Sequence, residues 1–301
     1  MKVNLKLLKR LYLINRPTGE ESGMISFILN YCYKIPKLTF ETDSAQNLFI
    51  TKNTTNPDIY PCVVAHMASV HNFHSERDLV VSGNIIRAVY AKTNLMSGLN
   101  ADDSNGILVA LQLLETLPNL KVLFTTGEEF GGVGAYKAAD NLAFFSDVSY
   151  LVQADRRGNS DLITFTNGLQ TASPKFVSDI SSVTDLYGYK EARGTFTDIG
   201  VLAEELQISG VNISCGYYSE HTDYENCNIK ELEKCLNYIY DIITTLSSKG
   251  RVYSIEVPKS PSSSKVGTYP SEYDYYKSGT DDFPCNHCTD MDCMRCKYFD
   301  M

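Results

Sequence analysis

Residues 99–126 of the chain read LNADDSNGILVALQLLETLPNLKVLFTT. After the polar opening, apolar residues recur at helical spacing from Gly106 to Leu117, which predicts a helix with a buried face. The run from Val122 to Thr126 is rich in β-branched residues and predicts a strand. A helix that leads within a few residues into a buried strand is the repeating unit of α/β proteins.

The same alternation extends on both sides of this stretch. Short apolar runs at residues 61–65 and 150–154 predict two more buried strands. Residues 79–90 predict a hairpin, and residues 229–246 a long helix. Strands that alternate with helices pair mainly in parallel and are covered on both faces. We therefore predict an α/β fold, a three-layer αβα sandwich with a central mixed, largely parallel sheet.

Composition and charge exclude several classes of protein. The 301 residues carry a net charge of −9, which argues against a nucleic-acid partner because phosphate binding needs excess Lys and Arg. No apolar run approaches the ~20 residues of a membrane helix, so we expect no membrane partner. Lys6, Lys9 and Arg10 interrupt the apolar residues at the start, unlike a signal peptide. Nine cysteines, five of them scattered, do not resemble a secreted disulfide framework, so we expect a cytoplasmic protein.

The chain changes character near its end. We predict one α/β domain over residues 1–250, a polar linker over 251–284 and a Cys-rich tail over 285–301. Two Cys-x-x-Cys pairs in the tail favour a structural zinc ion. The four residues between the pairs are fewer than in usual zinc ribbons, so a redox or disordered tail is the alternative. The four ligands would be Cys285, Cys288, Cys293 and Cys296.

Histidines and carboxylates follow the predicted strands at the points where these strands end. In open α/β sheets, ligand sites gather at this edge. Two histidines with several carboxylates are a ligand set that zinc accepts, and a carboxylate can bridge two metal ions. The residues are His66, Asp102, Asp103, Glu128, Glu129, Asp155 and His221.

Each of these residues alone has a simpler interpretation. An Asp pair before a helix, such as Asp102-Asp103, is commonly an N-cap. Glu128-Glu129 alone would be a solvated loop, and a single His is more often structural than a ligand. We expect His71 and His74, which lie in a loop after His66, to be solvated.

Taken together, the motifs resemble a known superfamily. AHMAS, NADDSNG, TTGEEFGG, QADRRG and SEHTD occur in the order found in the two-zinc exopeptidases, which include leucyl aminopeptidases, tetrahedral aminopeptidases and peptidase T. The resemblance covers roughly residues 5 to 247. It implies a zinc-dependent peptidase that removes N-terminal residues from peptides.

The spacing of the motifs distinguishes subgroups of this superfamily. Tetrahedral aminopeptidases insert a domain between the first His and the bridging Asp, where this chain has room for only a hairpin and a loop. Peptidase T and the dimerising carboxypeptidases insert a lid before the last His, which the interval from Asp155 to His221 does not accommodate. The resemblance therefore implies the single-domain aminopeptidase type.

The resemblance also implies a role for each site residue. Glu128 would be the general base that takes a proton from water and gives it to the leaving amine. The metal ligands would be His66 and Asp155 on one zinc, Glu129 and His221 on the other, and Asp102, rather than Asp103, between the two.

Further residues have open roles. Asp198 either contacts the amine of the substrate or caps the following helix. Arg156, Arg157 and Arg193 either form surface ion pairs or bind a substrate carboxylate. The second possibility would favour a carboxypeptidase, or an amidase or deacylase that acts on N-acyl amino acids.

The main departure from the superfamily is Ala68. The first motif is normally His-x-Asp, and this Asp accepts a hydrogen bond from the metal-binding His ring. Loss of such a partner typically costs ~10–100-fold in metal affinity or activity. With Ala68, the ring N–H of His66 must find water, Ser69 or a backbone carbonyl. Two interpretations stay open, an enzyme of reduced activity and a metal-binding protein that has lost turnover.

Overall fold

A computed structural model describes residues 1–256 and shows one large sheet with helices on both faces. Residues 257–301, which contain most of the predicted linker and the four tail cysteines, lie outside the described residues. The strands of the described part are β1 (Leu38–Thr42), β2 (Leu48–Asn53), β3 (Tyr60–His66), β4 (Arg77–Ser82), β5 (Ile85–Tyr90), β6 (Met96–Ser97), β7 (Asn119–Thr125), β8 (Val148–Arg156), β9 (Asp161–Thr166), β10 (Leu169–Gln170), β11 (Lys190–Gly194), β12 (Gly210–Ser214), β13 (Tyr217–Tyr218) and β14 (Asn226–Asn228).

The helices alternate with these strands along the chain, as the sequence predicts. None of the helices within residues 1–256 combines the length and the apolar composition that crossing a membrane needs. They are α1 (Leu5–Leu13), α2 (Ser22–Cys32), α3 (Ala101–Thr116), α4 (Val133–Ala138), α5 (Leu142–Phe145), α6 (Pro174–Tyr187), α7 (Asp198–Leu206) and α8 (Ile229–Ser247), and a 3-10 turn covers Glu128–Phe130.

The central sheet has the strand order β1-β2-β7-β3-β8-β12-β9-β10, and β11 pairs with β9. The four middle strands, β7, β3, β8 and β12, run parallel to one another. On either side, β2 and β9 pair antiparallel to this group. The predicted α/β sandwich with a mixed, largely parallel sheet is confirmed.

Two hydrophobic cores lie on opposite faces of the sheet. Successive side chains of a strand point to opposite faces, so Val63 and Ala65 of β3 pack with α1, α3 and α8, while Cys62 and Val64 pack with α4, α5 and α7. All four side chains are fully buried. A strand buried on both faces reads as a continuous apolar run, which explains the pattern at residues 61–65.

A second, smaller sheet has the order β13-β14-β5-β4, with β6 paired to β5. The predicted hairpin is confirmed as β4 and β5, which join through Gly83. The other strands are two or three residues long, too short to show a period in the sequence. The loop between β13 and β14 carries His221, so this sheet positions one of the predicted site residues.

The five cysteines of the described part, Cys32, Cys62, Cys215, Cys227 and Cys235, are buried free thiols. Tyr253 and Ile255 are buried as well, although they lie at the start of the predicted linker. Tyr253 packs against Tyr150 and Phe176. The division between catalytic domain and linker stays a prediction.

Candidate metal centre

Three neighbouring parallel strands bring most of the predicted ligands together. His66 is the last residue of β3, and Asp155 is the last but one of β8. Glu128 and Glu129 lie in the turn that follows β7. Because the carboxyl ends of β7, β3 and β8 meet at one edge of the sheet, these side chains converge there.

Asp102 and Asp103, which have non-helical backbone angles in the first turn of α3, have different surroundings. Asp103 accepts hydrogen bonds from the backbone N–H groups of Gly106 (2.9 Å) and His66 (3.1 Å), so it caps the helix and holds the end of β3. A Cβ at Gly106 would lie 2.4 Å from a carboxylate oxygen of Asp103, which is why glycine occupies that position. The capping role considered for Asp102 therefore falls to Asp103, and the carboxylate of Asp102 points to the histidines.

Asp102 lies between the two histidines and offers one oxygen to each. Its Oδ1 is 2.9 Å from Nε2 of His66, and its Oδ2 is 3.2 Å from Nε2 of His221. Oδ1 of Asp155 lies 3.6 Å from Nε2 of His66, and Oε2 of Glu129 lies 3.3 Å from Nε2 of His221. Asp102, Glu129 and His221 thus form one close group, and His66 lies beside the oxygens of Asp102 and Asp155.

The electrostatics are those of a cation site without its cation. Burial raises the pKa of Asp155 well above its ordinary value, and the charge of Asp102 adds to the shift. Hydrogen bonds with Asp102 and Glu129 raise the pKa of His221 to about 11. Burial opposes protonation of His66, but the charge of Asp155 and the hydrogen bonds with Asp102 and Asp155 together outweigh it, so the pKa of His66 lies above the ordinary range. Protons on the imidazoles therefore offset the carboxylates in the metal-free protein.

The residues present are suited to zinc. Imidazole nitrogens and carboxylate oxygens are ligands that zinc takes at catalytic sites. Oε1 of Glu129 is buried and has no hydrogen-bond partner among the described residues, which is costly unless a cation neutralises it. Two other combinations also have closely spaced atoms: His66 with Glu128 and Glu129, and His66 with Asp103 and Asp155. In the latter, the oxygens of Asp103 already accept two backbone N–H groups.

Glu128 also lies beside His66. Its Oε2 is 4.0 Å from Nε2 of His66. Burial raises the pKa of Glu128 to about 8, and the charges of Asp198 and Glu129 add to the shift while His66 opposes it. A carboxyl whose pKa lies near neutrality can both accept and return a proton, which is what general acid–base catalysis requires.

The ring of His66 is held by a backbone carbonyl. Its Nδ1 lies 3.1 Å from the carbonyl oxygen of Ala68, so this nitrogen donates and leaves Nε2 free for a metal. Of the three partners expected for this N–H, the carbonyl is the one found. Ala68 itself is fully buried.

A cavity of about 280 Å³ opens onto these residues. Ile163, Gly194 and Phe196 also line it. Arg156 and Arg157 reach the rim, but Asp161 lies 3.2 Å from Nε of Arg156, and Glu220 lies 2.9 Å from Nη1 of Arg157. The ion-pair interpretation of these two arginines therefore holds.

Arg193 and Asp198 are not among the residues that line the cavity. Arg193 packs over the ring of Phe165. Asp198 is fully buried and accepts a hydrogen bond from Oγ1 of Thr125 (2.5 Å), whereas its neighbour Thr197 precedes α7 and lines the cavity. His74 is exposed, as expected for a residue in a solvated loop. His71 is largely buried, so the expectation is wrong for that residue.

His71 and Glu225 belong to a buried group that the sequence did not indicate. Nε2 of His71 lies 3.3 Å from a carboxylate oxygen of Glu225. Glu225 is fully buried and accepts hydrogen bonds from the backbone N–H groups of Leu99 (2.8 Å), Asn100 (2.8 Å) and Asp102 (3.0 Å). Glu225 follows His221 by four residues, so it connects the loop of one ligand to the loop of another.

Comparison with known proteins establishes the fold. No protein-family model matches the chain, and no curated protein matches it in sequence. Solved structures do match. A tripeptidase from Staphylococcus aureus is 15% identical with a TM-score of 0.64, and aminopeptidase PepT from Bacillus cereus is 14% identical with a TM-score of 0.66; each match covers 81% of this chain and 98% of the other. The chain shares their fold.

A third match supports the same conclusion. A TET aminopeptidase from a marine sediment archaeon of the Thaumarchaeota is 12% identical with a TM-score of 0.63, over 81% of this chain and 98% of that one. The resemblance stated from the motifs is thus confirmed at the level of the fold.

Proposed function

We propose that this chain is a zinc-dependent exopeptidase that removes N-terminal residues from peptides. The observation that carries the proposal is the position of Asp102, whose two oxygens lie 2.9 and 3.2 Å from the Nε2 atoms of His66 and His221. A carboxylate placed between two imidazoles is the arrangement that a two-metal site needs. The peptidase names of the solved structures with this fold point the same way.

Each zinc ion would have its own histidine and its own carboxylate. His66 and Asp155 would hold one ion, His221 and Glu129 would hold the other, and Asp102 would contact both. When bound, two zinc ions polarise the substrate carbonyl and lower the pKa of the attacking water.

The chain's own residues account for the proton transfers. Glu128 takes a proton from the water and delivers it to the amine that leaves. Burial raises the pKa of Glu128 to about 8, so this carboxyl can both accept and return the proton near neutral pH. Asp103 holds the backbone of His66, and the carbonyl of Ala68 holds its ring, while the proton moves.

Paired arginines favour an aminopeptidase over a carboxypeptidase or deacylase. A carboxylate-binding site needs a free guanidinium, and Arg156 and Arg157 each have an acidic partner. Neither of these two arginines is therefore free to bind a substrate carboxylate.

The alternative is a metal-binding protein without turnover, and Ala68 is the feature that favours it. A carbonyl is a weaker acceptor than a carboxylate, so His66 would be a less basic ligand. One measurement distinguishes the enzyme from the binding protein.

That measurement is hydrolysis of a panel of aminoacyl and N-acyl substrates by the zinc-loaded chain, with Glu128→Gln as the matched control. We expect cleavage of substrates with a free N-terminus and none by the control. Cleavage of only N-acyl substrates would favour the deacylase, and a zinc-loaded chain that cleaves nothing would favour the binding protein.

A further inference from the structure

Arg16 is a fully buried arginine directly behind the proposed metal ligands. Its Nη1 donates hydrogen bonds to the carbonyl oxygens of Met67 (2.9 Å) and Ala68. Its Nη2 donates to the carbonyl oxygens of Asn100 (3.1 Å) and Asp102 (3.0 Å). One guanidinium therefore joins the segment after His66 to the loop that carries Asp102.

The acceptors of Arg16 are unusual for a buried cation. Buried charges are normally paired, yet within residues 1–256 no carboxylate oxygen lies at salt-bridge distance from this guanidinium. Its remaining partner is the hydroxyl of Ser104, at 3.0 Å from Nη2. Burial lowers the pKa of Arg16, and the charges of Asp103 and Asp102 oppose that shift. The charge of Arg16 is thus offset by the aspartates of the site and not by a dedicated partner.

The carbonyl of Ala68 has two donors. It accepts from Arg16 on one side and from Nδ1 of His66 on the other (3.1 Å). A carbonyl in a loop can rotate with its peptide plane, and the guanidinium fixes that plane.

We propose that Arg16 is a positioning residue for the His66 ring. By holding the carbonyl of Ala68, it sets the ring orientation that an Asp at position 68 would otherwise set. Its second nitrogen orients Asp102 in the same way, so the rigid fork of the guanidinium sets the distance between two ligands. The proposal rests on the proposed function, because it assumes that His66 and Asp102 bind metal.

Positioning and simple electrostatics make opposite predictions. A positive charge close to two zinc ions repels them, so removal of the charge alone would strengthen zinc binding. If Arg16 instead positions the ligands, its removal weakens zinc binding by ~10–100-fold, as for other groups that orient metal ligands.

The test is the zinc affinity of Arg16→Met, measured by chelator competition on the full chain with Cys285, Cys288, Cys293 and Cys296 changed to Ser in every variant. The matched control is Arg77→Met. Arg77 is also buried, and within residues 1–256 its hydrogen bonds go to the backbone carbonyls of Gly98 and Tyr12 (both 2.6 Å) and not to His66 or Asp102.

We expect Arg16→Met to lose at least ~10-fold in zinc affinity and Arg77→Met to lose stability with little change in zinc affinity. Equal or tighter zinc binding by Arg16→Met would overturn the proposal, as would an equal loss in both variants. If Arg16→Met does not fold, Arg16→Lys carries the test, since it keeps the charge and loses the fork; unchanged affinity there would also overturn it. A chain that binds no zinc before any change at Arg16 would contradict the proposed function instead.

Discussion

Replacing Glu128 by Gln should stabilise the metal-free protein. Burial raises the pKa of this carboxyl to about 8 from an ordinary value of 4.5. At pH 7 the carboxyl is ionised in the unfolded chain and mostly protonated in the folded one. Folding must therefore supply the free energy of protonating this carboxyl at pH 7. Because pH 7 lies roughly 2.5 units above the ordinary pKa, that free energy is about 3 kcal/mol. The amide of Gln has no such cost.

The size of this effect changes with pH in a defined way. Because the folded-state pKa of Glu128 is raised, the cost is absent well below pH 4.5, grows as the pH rises to 8 and is constant above that. Glu128→Gln should therefore raise the free energy of unfolding by about 3 kcal/mol at pH 7 and by less than about 1 kcal/mol at pH 5. For a unit of this size the gain corresponds to roughly 6–12 °C in Tm.

The same substitution should abolish turnover. Loss of a general base typically costs ~10²–10⁴-fold in rate, while the five proposed ligands are untouched, so zinc content should stay the same. The assays are calorimetry of the metal-free protein at two pH values, metal analysis and peptide hydrolysis. If Glu128→Gln destabilised the metal-free protein at pH 7, or kept full activity with zinc bound, the role given to Glu128 would be refuted.

Three further predictions concern the two proposed histidine ligands and their neighbours. Glu129→Gln should lose one zinc ion of two by metal analysis, because Oε2 of Glu129 is the oxygen beside His221; an unchanged count would assign the Glu pair the other way round. Zinc affinity should rise by about tenfold per pH unit between pH 6 and 9 for each proton displaced, because the pKa of His221 in the metal-free protein is about 11 and zinc must displace that proton. Chelator competition that gives a flat pH profile would contradict this. Ala68→Asp should raise peptidase activity ~10-fold at constant zinc content, because a carboxylate is a better acceptor than a carbonyl for Nδ1 of His66; activity assays that show no change would mean that the carbonyl already suffices.

Much of the fold follows from local patterns. The apolar run at residues 61–65 predicts a strand buried on both faces, and such strands place polar residues at the edge of the sheet. That is why His66 and Asp155, which follow two such runs, are found together. The resemblance predicts Asp102, rather than Asp103, as the ligand between the two zinc ions. The helix capping by Asp103, which agrees with that prediction, is seen only in the structure.

Other features have no local signal in the sequence. The small sheet is built from strands of two or three residues, which show no period. Arg16 reads as an ordinary loop cation, because its acceptors are backbone carbonyls from distant parts of the chain. Glu225 likewise binds N–H groups more than a hundred residues away. Contacts between a side chain and a distant backbone leave no pattern of residue types to read.

The central claim is that five side chains hold two zinc ions. The most direct test is metal analysis of the zinc-replete chain in which Cys285, Cys288, Cys293 and Cys296 are Ser, before and after chelation, with Tm measured on both samples. We predict close to two zinc ions per chain, a lower Tm after chelation and recovery when zinc is returned. A chain without bound metal whose Tm is indifferent to zinc would contradict the account.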